Sequence, residues 1–117
     1  MVAMVFDFVA FKRACETKDA DAWIEYFAQD AEWVEYRHQD PPQRPHRMAG
    51  RDEIETFLRQ VAIWPITLTI EDELIDADRA AFRTWVGLAD GKRIVEHVML
   101  YLDEDKIRRQ VDVEAWD

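Results

Sequence analysis

Apolar side chains at the start of the chain recur with a helical spacing. Met4, Phe8, Phe11 and Cys15 form one stripe of a 3.6-residue period and predict a first helix. It stops near "TKDAD", where Asp19 or Asp21 can cap a second helix, and Trp23, Ile24 and Phe27 give that helix its buried face. "AQDA" ends it. From about Ala31 the segment "AEWVEYRH" alternates and predicts a strand. Residues two apart on a strand share a face, so Trp33 and Glu35 point the same way. The stretch "QDPPQRPHRMAG" is expected to be a loop, because its prolines block both ladder bonding and helix continuation. After Gly50, the spacing of Ile54, Phe57, Leu58 and Val61 marks a third helix, with Asp52 and Glu53 in its first turn.

Beyond Pro65 the period changes from 3.6 to 2. "ITLTIEDELI" sets Ile66, Leu68 and Ile70 against threonines and Glu71. "AAFRTWVGLA" follows after a turn at "DADR", Asp90-Gly91 signals a hairpin into "KRIVEHVMLYL", and "DEDK" turns into "IRRQVDVEAW". Two helices, a strand, a helix and then four consecutive antiparallel strands make an α+β layout. No repeat or linker interrupts it, so residues 1–117 are expected to form a single domain.

Charge narrows the partners. A formal net charge of −10 and a pI near 4.7 oppose phosphate backbones and anionic lipids, so neither nucleic acid nor a membrane surface is expected as a partner. The opening "MVAMVFDFVAF" is short and carries Asp7. It has no basic n-region, so it reads as neither a signal peptide nor a span, and a cytoplasmic location is the default. Cys15 is the sole cysteine, which excludes an intrachain disulfide and favours a packed thiol over a nucleophile. Five Trp, six Phe and three Tyr exceed what a core of this size needs, and surplus aromatics line ligand pockets or subunit contacts.

"KDADAWIEYFAQDAEWVEY", "GRDEIETFL" and "GKRIVEHVMLYLDEDKI" resemble the nuclear transport factor 2-like, SnoaL-like superfamily, over residues 5 to 115 or so. The resemblance implies a cone: three N-terminal helices packed on a strongly curved, mainly antiparallel sheet enclosing a pocket. Its members include ketosteroid isomerase, limonene epoxide hydrolase and polyketide cyclases. Carried over by position, Glu35 falls where the isomerase has its Asp base, and Trp33 where the hydrolase has a water-holding Tyr. Phe11 replaces the isomerase's oxyanion Tyr, and Met99 or Val98 replaces an acidic partner. His97 takes the place of the hydrolase's Arg, while Asp112 matches its last-strand Asp. Neither enzyme's full set is present, so neither activity is implied in its ordinary form.

Glu35, His97 and Asp112 are therefore the candidate catalytic residues. A carboxyl beside Trp33 in a pocket would have a raised pKa, as a general base near neutrality needs; the bland alternative pairs Glu35 with an arginine such as Arg47 or turns it to solvent. On "VEHVMLY", His97, Met99 and Tyr101 share one face. His97 could exchange a proton with a ligand oxygen, or be an ordinary core histidine. Asp112 could orient His97 from the last strand, alongside Gln110 in the pocket, or it could form an exposed charge pattern with Arg108. The expected pocket is walled by Phe11, Trp23, Phe27, Trp33 and Phe57, with Met99, Tyr101 and Gln110 completing it.

His38, Asp40 and His46 are types that ligate metals, but their spacing matches no known site, so no metal is expected. "RHQDPPQRPHR" reads better as a flap, with His46 or Arg47 touching a ligand. No phosphate loop, nucleophile elbow or dinucleotide fingerprint occurs, and no cofactor is expected.

The expected function is binding of a small hydrophobic ligand or carbonyl substrate, with cofactor-free acid/base chemistry (isomerisation, cyclisation or dehydration) by Glu35 with His97 and Asp112. The alternative is a non-catalytic ligand-binding or dimerisation domain. An apolar outer sheet face made of Trp85, Val98, Leu100 and Val111 predicts a homodimer.

Overall fold

A computed structural model describes residues 5–117; Met4 of the first predicted stripe lies outside them. Helix α1 (Phe8–Glu16) and helix α2 (Ala20–Ile24) come first, followed by β1 (Phe27–Tyr36) and β2 (His46–Ala49). Helix α3 (Arg51–Ile63) leads into β3 (Thr67–Ile75), β4 (Arg79–Gly87), β5 (Arg93–Asp103) and β6 (Lys106–Trp116). The strands form one six-stranded curved sheet in the order β2-β1-β6-β5-β4-β3. The last four strands neighbour each other in chain order and pair antiparallel, as the change of period at Pro65 predicts. β1 runs parallel to β6 and antiparallel to β2, so the sheet is mixed.

Short polar side chains start the first two helices. Asp7 accepts from the Ala10 amide at 3.1 Å and Asp19 from the Ala22 amide at 3.2 Å, satisfying N–H groups that the first turn leaves unpaired. Of the two possible caps for α2, the chain uses Asp19, and Asp21 falls in the first turn. The buried stripe of α1 is Phe8, Phe11, Ala14 and Cys15, and its two rings meet Phe82 of β4 at 5.5 and 6.0 Å. α3 buries Ile54, Leu58 and Val61. Pro65 disfavours helical backbone in the residue before it, and Trp64 accordingly turns extended, with ψ 146°.

Three sequence expectations are corrected. Phe27 opens β1 rather than closing α2, because the Ile107 amide donates to the Tyr26 carbonyl at 2.7 Å and draws the chain onto the sheet. The proline-rich stretch is not loop throughout: once past Pro45, His46–Ala49 regain their amides and pair with β1. The third correction is the phase of β5. Ile94, Val98 and Leu100 are buried and Glu96 is half-buried on the inner face, whereas His97 is exposed and Met99 and Tyr101 are half-buried on the outer one. Val98 and Leu100, expected in an outward patch, are 4% and 0% exposed.

Candidate functional site

Strand register builds the site. β4 contributes Phe82, Thr84 and Val86 to the inner face, and Thr84 lies opposite Glu96 on β5. Glu96 lies opposite Glu114 on β6, and Val98 opposite Asp112. Across the parallel pair, Glu35 is level with Asp112 and Trp33 with Gln110, while the edge strand sets His46 opposite Glu35. Four carboxyls and one imidazole thereby converge on one inner patch. Beside them is a cavity of about 420 Å³ between the sheet and the helices, within the range of small-molecule sites. Its apolar walls include Phe11, Trp23, Trp33, Phe57 and Trp64, and Glu35, Glu96, Gln110 and Glu114 face it.

The hydrogen bonds are specific. His46 Nδ1 lies 2.8 Å from Glu35 Oε1. The Trp33 indole N–H donates to Asp112 Oδ2 at 2.8 Å, and Gln110 Nε2 donates to Asp112 Oδ1 at 3.1 Å. Trp116 donates to Glu114 Oε1 at 2.8 Å. One carboxylate oxygen from each of Glu35, Glu96 and Asp112 lies within 4.8 Å of the others. Both Asp112 oxygens are already held by N–H donors, so the group reads as acids sharing protons rather than as a cradle for a cation.

Burial governs their acidity. Desolvation pushes Glu35 up to about 8, reinforced by the negative charge of Glu114 and opposed by Arg37. Asp112, 1% exposed, is raised well above an ordinary aspartate by burial and then by Glu35, although its bonds from Gln110 and Trp33 pull the other way. Glu96 is raised by burial, by Asp112 and by its contact with Glu114. His46 is pushed down by desolvation and then by Arg37. A neutral pair is cheaper to bury than separated charges, so near neutral pH Glu35 carries the proton and donates it to His46 Nδ1.

A family profile described as SnoaL-like domain matches residues 8–110. The chain belongs to the SnoaL-like domain family. Its fold is similar to that of an NTF2-like protein of unknown function from Mesorhizobium loti, at 19% identity over 92% of this chain and 87% of that one, with a TM-score of 0.81. It is also similar to a candidate ketosteroid isomerase from Kribbella flavida (21% identity, 94% and 74% covered, TM-score 0.73). A candidate polyketide cyclase from Sinorhizobium meliloti aligns at 20% identity over 88% and 89%, with a TM-score of 0.68. No curated protein sequence matches the chain. At these identities the likeness concerns the fold, and chemistry has to be read from the site.

The SnoaL-like fold brings together Glu35, Asp112, Gln110, Trp33, Trp23, Phe57 and Phe11 on the cavity side. Asp112 lies opposite Val98 on the inner face whereas His97 lies opposite Val113 on the outer one, so the two do not meet, and Arg108 bulges away from Asp112 at a shift in the β5–β6 register to lie over Tyr101. Phe27 stacks behind Trp33, with centroids 5.8 Å apart. His97, Met99 and Tyr101 are excluded by the phase of β5. The metal-type trio does not converge: His38 stacks on Trp116, Asp40 pairs with Arg37, and His46 meets Glu35. Arg47 approaches Glu32, not Glu35. Sequence reasoning missed Glu96 because it lies on the face of β5 opposite to the expected one, and it missed Glu114 although that residue shares the face of Gln110 and Asp112 on β6.

Proposed function

We propose that this SnoaL-like domain binds a small, mainly apolar carbonyl compound and moves a proton on it with side chains alone. The observation that carries this reading is Glu35, a carboxyl 4% exposed beside an aromatic-walled cavity and pushed up to about 8. A base with a pKa near the working pH combines a useful ionised fraction with real basicity. Oε1 is taken by His46, leaving Oε2 for a ligand. Glu96, kept protonated by its surroundings, takes the role expected of His97 and donates a hydrogen bond to the ligand's carbonyl oxygen. Their carboxyl oxygens lie within 4.8 Å of each other, so one ligand carbonyl and its adjacent carbon can touch both. Asp112 touches no ligand. It is a positioning residue whose negative charge, were it to form, would drive the Glu35 pKa higher still. Isomerisation, aldol-type cyclisation and elimination of a β-hydroxyl from a carbonyl compound can each begin with this proton abstraction.

The test uses 1-tetralone in heavy water, with exchange of the protons next to its carbonyl followed by NMR. Wild type should accelerate exchange, and Glu35→Gln should reduce that rate by about 100-fold or more while retaining quenching of tryptophan fluorescence by the ketone. Binding without any exchange would leave the alternative, a non-catalytic ligand-binding domain.

A second reading concerns the outer face of the sheet, where Met99, Val111 and Val113 lie beside Leu74 of β3, with Val113 55% and Leu74 76% exposed. Trp85 is on this face too, but its N–H is held by Glu71 and its ring is covered by Arg93, so the valines, not Trp85, centre the patch. Self-association across it would give a homodimer. Light scattering should report about twice 13.9 kDa, falling to the monomer in Val113→Asp; a monomeric wild type ends this reading.

A further inference from the structure

A base at the bottom of a filled cavity has to exchange its proton with something. Glu35 is almost wholly buried, and a ligand in the cavity would displace the water that could otherwise reach Oε2. Its other oxygen has a defined exit. Oε1 lies 2.8 Å from His46 Nδ1, and the His46 side chain is 31% exposed against 5% for that of Glu35. The two residues are directly paired across β1 and β2. The ring also packs edge-to-face against Phe57, with centroids 5.9 Å apart. An imidazole has two nitrogens, and fixing Nδ1 on the acid leaves Nε2 for the solvent side.

We propose that His46 is the proton relay of the site, connecting buried Glu35 to bulk water while the ligand occupies the cavity. The inference rests on Glu35 acting as the base. In the resting pair the proton is on Glu35 Oε1 and His46 carries its own on Nε2. Activation passes the Oε1 proton to Nδ1 as Nε2 releases its proton to water, which leaves a Glu35 carboxylate. Oε2 then takes a proton from the carbon next to the ligand carbonyl. The C–H electron pair moves into an enolate, whose oxygen accepts from Glu96. In a β,γ-unsaturated ketone, Oε2 returns that proton to the γ-carbon, which gives the conjugated enone without a proton from solvent, and Oε1 regains its own from Nδ1 as Nε2 takes one from water. One proton leaves and one enters by the same route, so the histidine recovers its starting tautomer without turning its ring.

The proposal separates His46 from a merely structural partner. His46→Gln keeps a hydrogen-bonding group beside Oε1 but cannot pass a proton, and His46→Ala opens a space that free imidazole can fill. With 3-cyclohexen-1-one, followed by the absorbance of the conjugated enone, both variants should retain the fold, as checked by thermal melting, and should lose about 10-fold or more in isomerisation rate. Added imidazole should restore His46→Ala and leave wild type and His46→Gln unchanged. Wild-type isomerisation rates in both His46 variants, with Glu35→Gln still inactive, would overturn the relay and keep Glu35 as the base. Slow variants without imidazole rescue would also overturn it and mark His46 as structural. If wild type and Glu35→Gln isomerise the ketone at the same rate, the reading of Glu35 fails and the relay fails with it.

Discussion

Glu35→Gln should change stability in a pH-dependent way, and the structure sets the sign. In the unfolded chain Glu35 loses its proton near its ordinary value of 4.5, whereas in the folded protein it keeps it up to about 8. Between these values the native state holds a proton that the unfolded state has released, so native stability falls as pH rises through this window and levels off above it. A displacement of this size corresponds to about 5 kcal/mol at full effect. If relaxation around the charged form recovers half, about 2.5 kcal/mol remains, worth ~10 °C in melting temperature for a domain of this size. Glutamine carries no such penalty, and its amide can donate to His46 Nδ1 as the protonated acid does. Removing Glu35 also removes the largest charge effect on Asp112, which acts in the same direction. Thermal melts followed by circular dichroism should therefore put the two proteins within a few degrees at pH 5. At pH 9 the variant should melt about 10 °C higher than wild type. A melting difference that does not change between pH 5 and pH 9 would show that Glu35 titrates normally. A variant less stable at pH 9 would show that a charged Glu35 stabilises the fold, refuting the desolvation argument.

Other residues give sharper structural tests. Trp33→Phe removes the buried indole N–H that Asp112 accepts at 2.8 Å and should destabilise by about 1–3 kcal/mol in urea titrations. Gly50, with φ +89° and ψ 153° and nothing within 4 Å of the place an added methyl group would take, sits in backbone open essentially to glycine alone. Gly50→Ala should therefore cost roughly 1–3 kcal/mol through the backbone, without a steric clash, seen as a lower denaturant midpoint at unchanged slope. Ile54 is 0% exposed on the inner side of α3, and Ile54→Ala should cost about 2–5 kcal/mol by leaving a cavity.

Most of the fold is readable locally. Periods of 3.6 and 2, aspartates ahead of α1 and α2, and Pro65 behind α3 each act over a few residues and survive any tertiary context. The shared face of Trp33 and Glu35 is of this kind. So is the α+β order, with four consecutive strands at the end, since short turns force neighbouring strands to pair antiparallel.

The composition of the site depended on a single turn. A two-residue turn at Asp90-Gly91 would set Thr84 opposite His97 and aim His97, Met99 and Tyr101 into the cavity. The chain instead closes the hairpin with the Leu88 amide on the Lys92 carbonyl at 2.9 Å, with Gly91 at φ +89°. One extra loop residue places Thr84 opposite Glu96. Because side chains alternate with period 2, that single step exchanges every residue of β5 between the faces. The sequence could not choose, as Ile94, Val98 and Leu100 are as apolar as Val95, Met99 and Tyr101. His46 was equally hidden, because its pairing with Glu35 joins an edge strand to β1 across a proline-rich connection with no periodicity of its own. By itself the sequence determined the elements, their order and a carboxylate aimed with a tryptophan. Long-range register alone decided that Glu96 and His46, not His97, meet that carboxylate, because strand pairing fixes faces between segments that share no local signal.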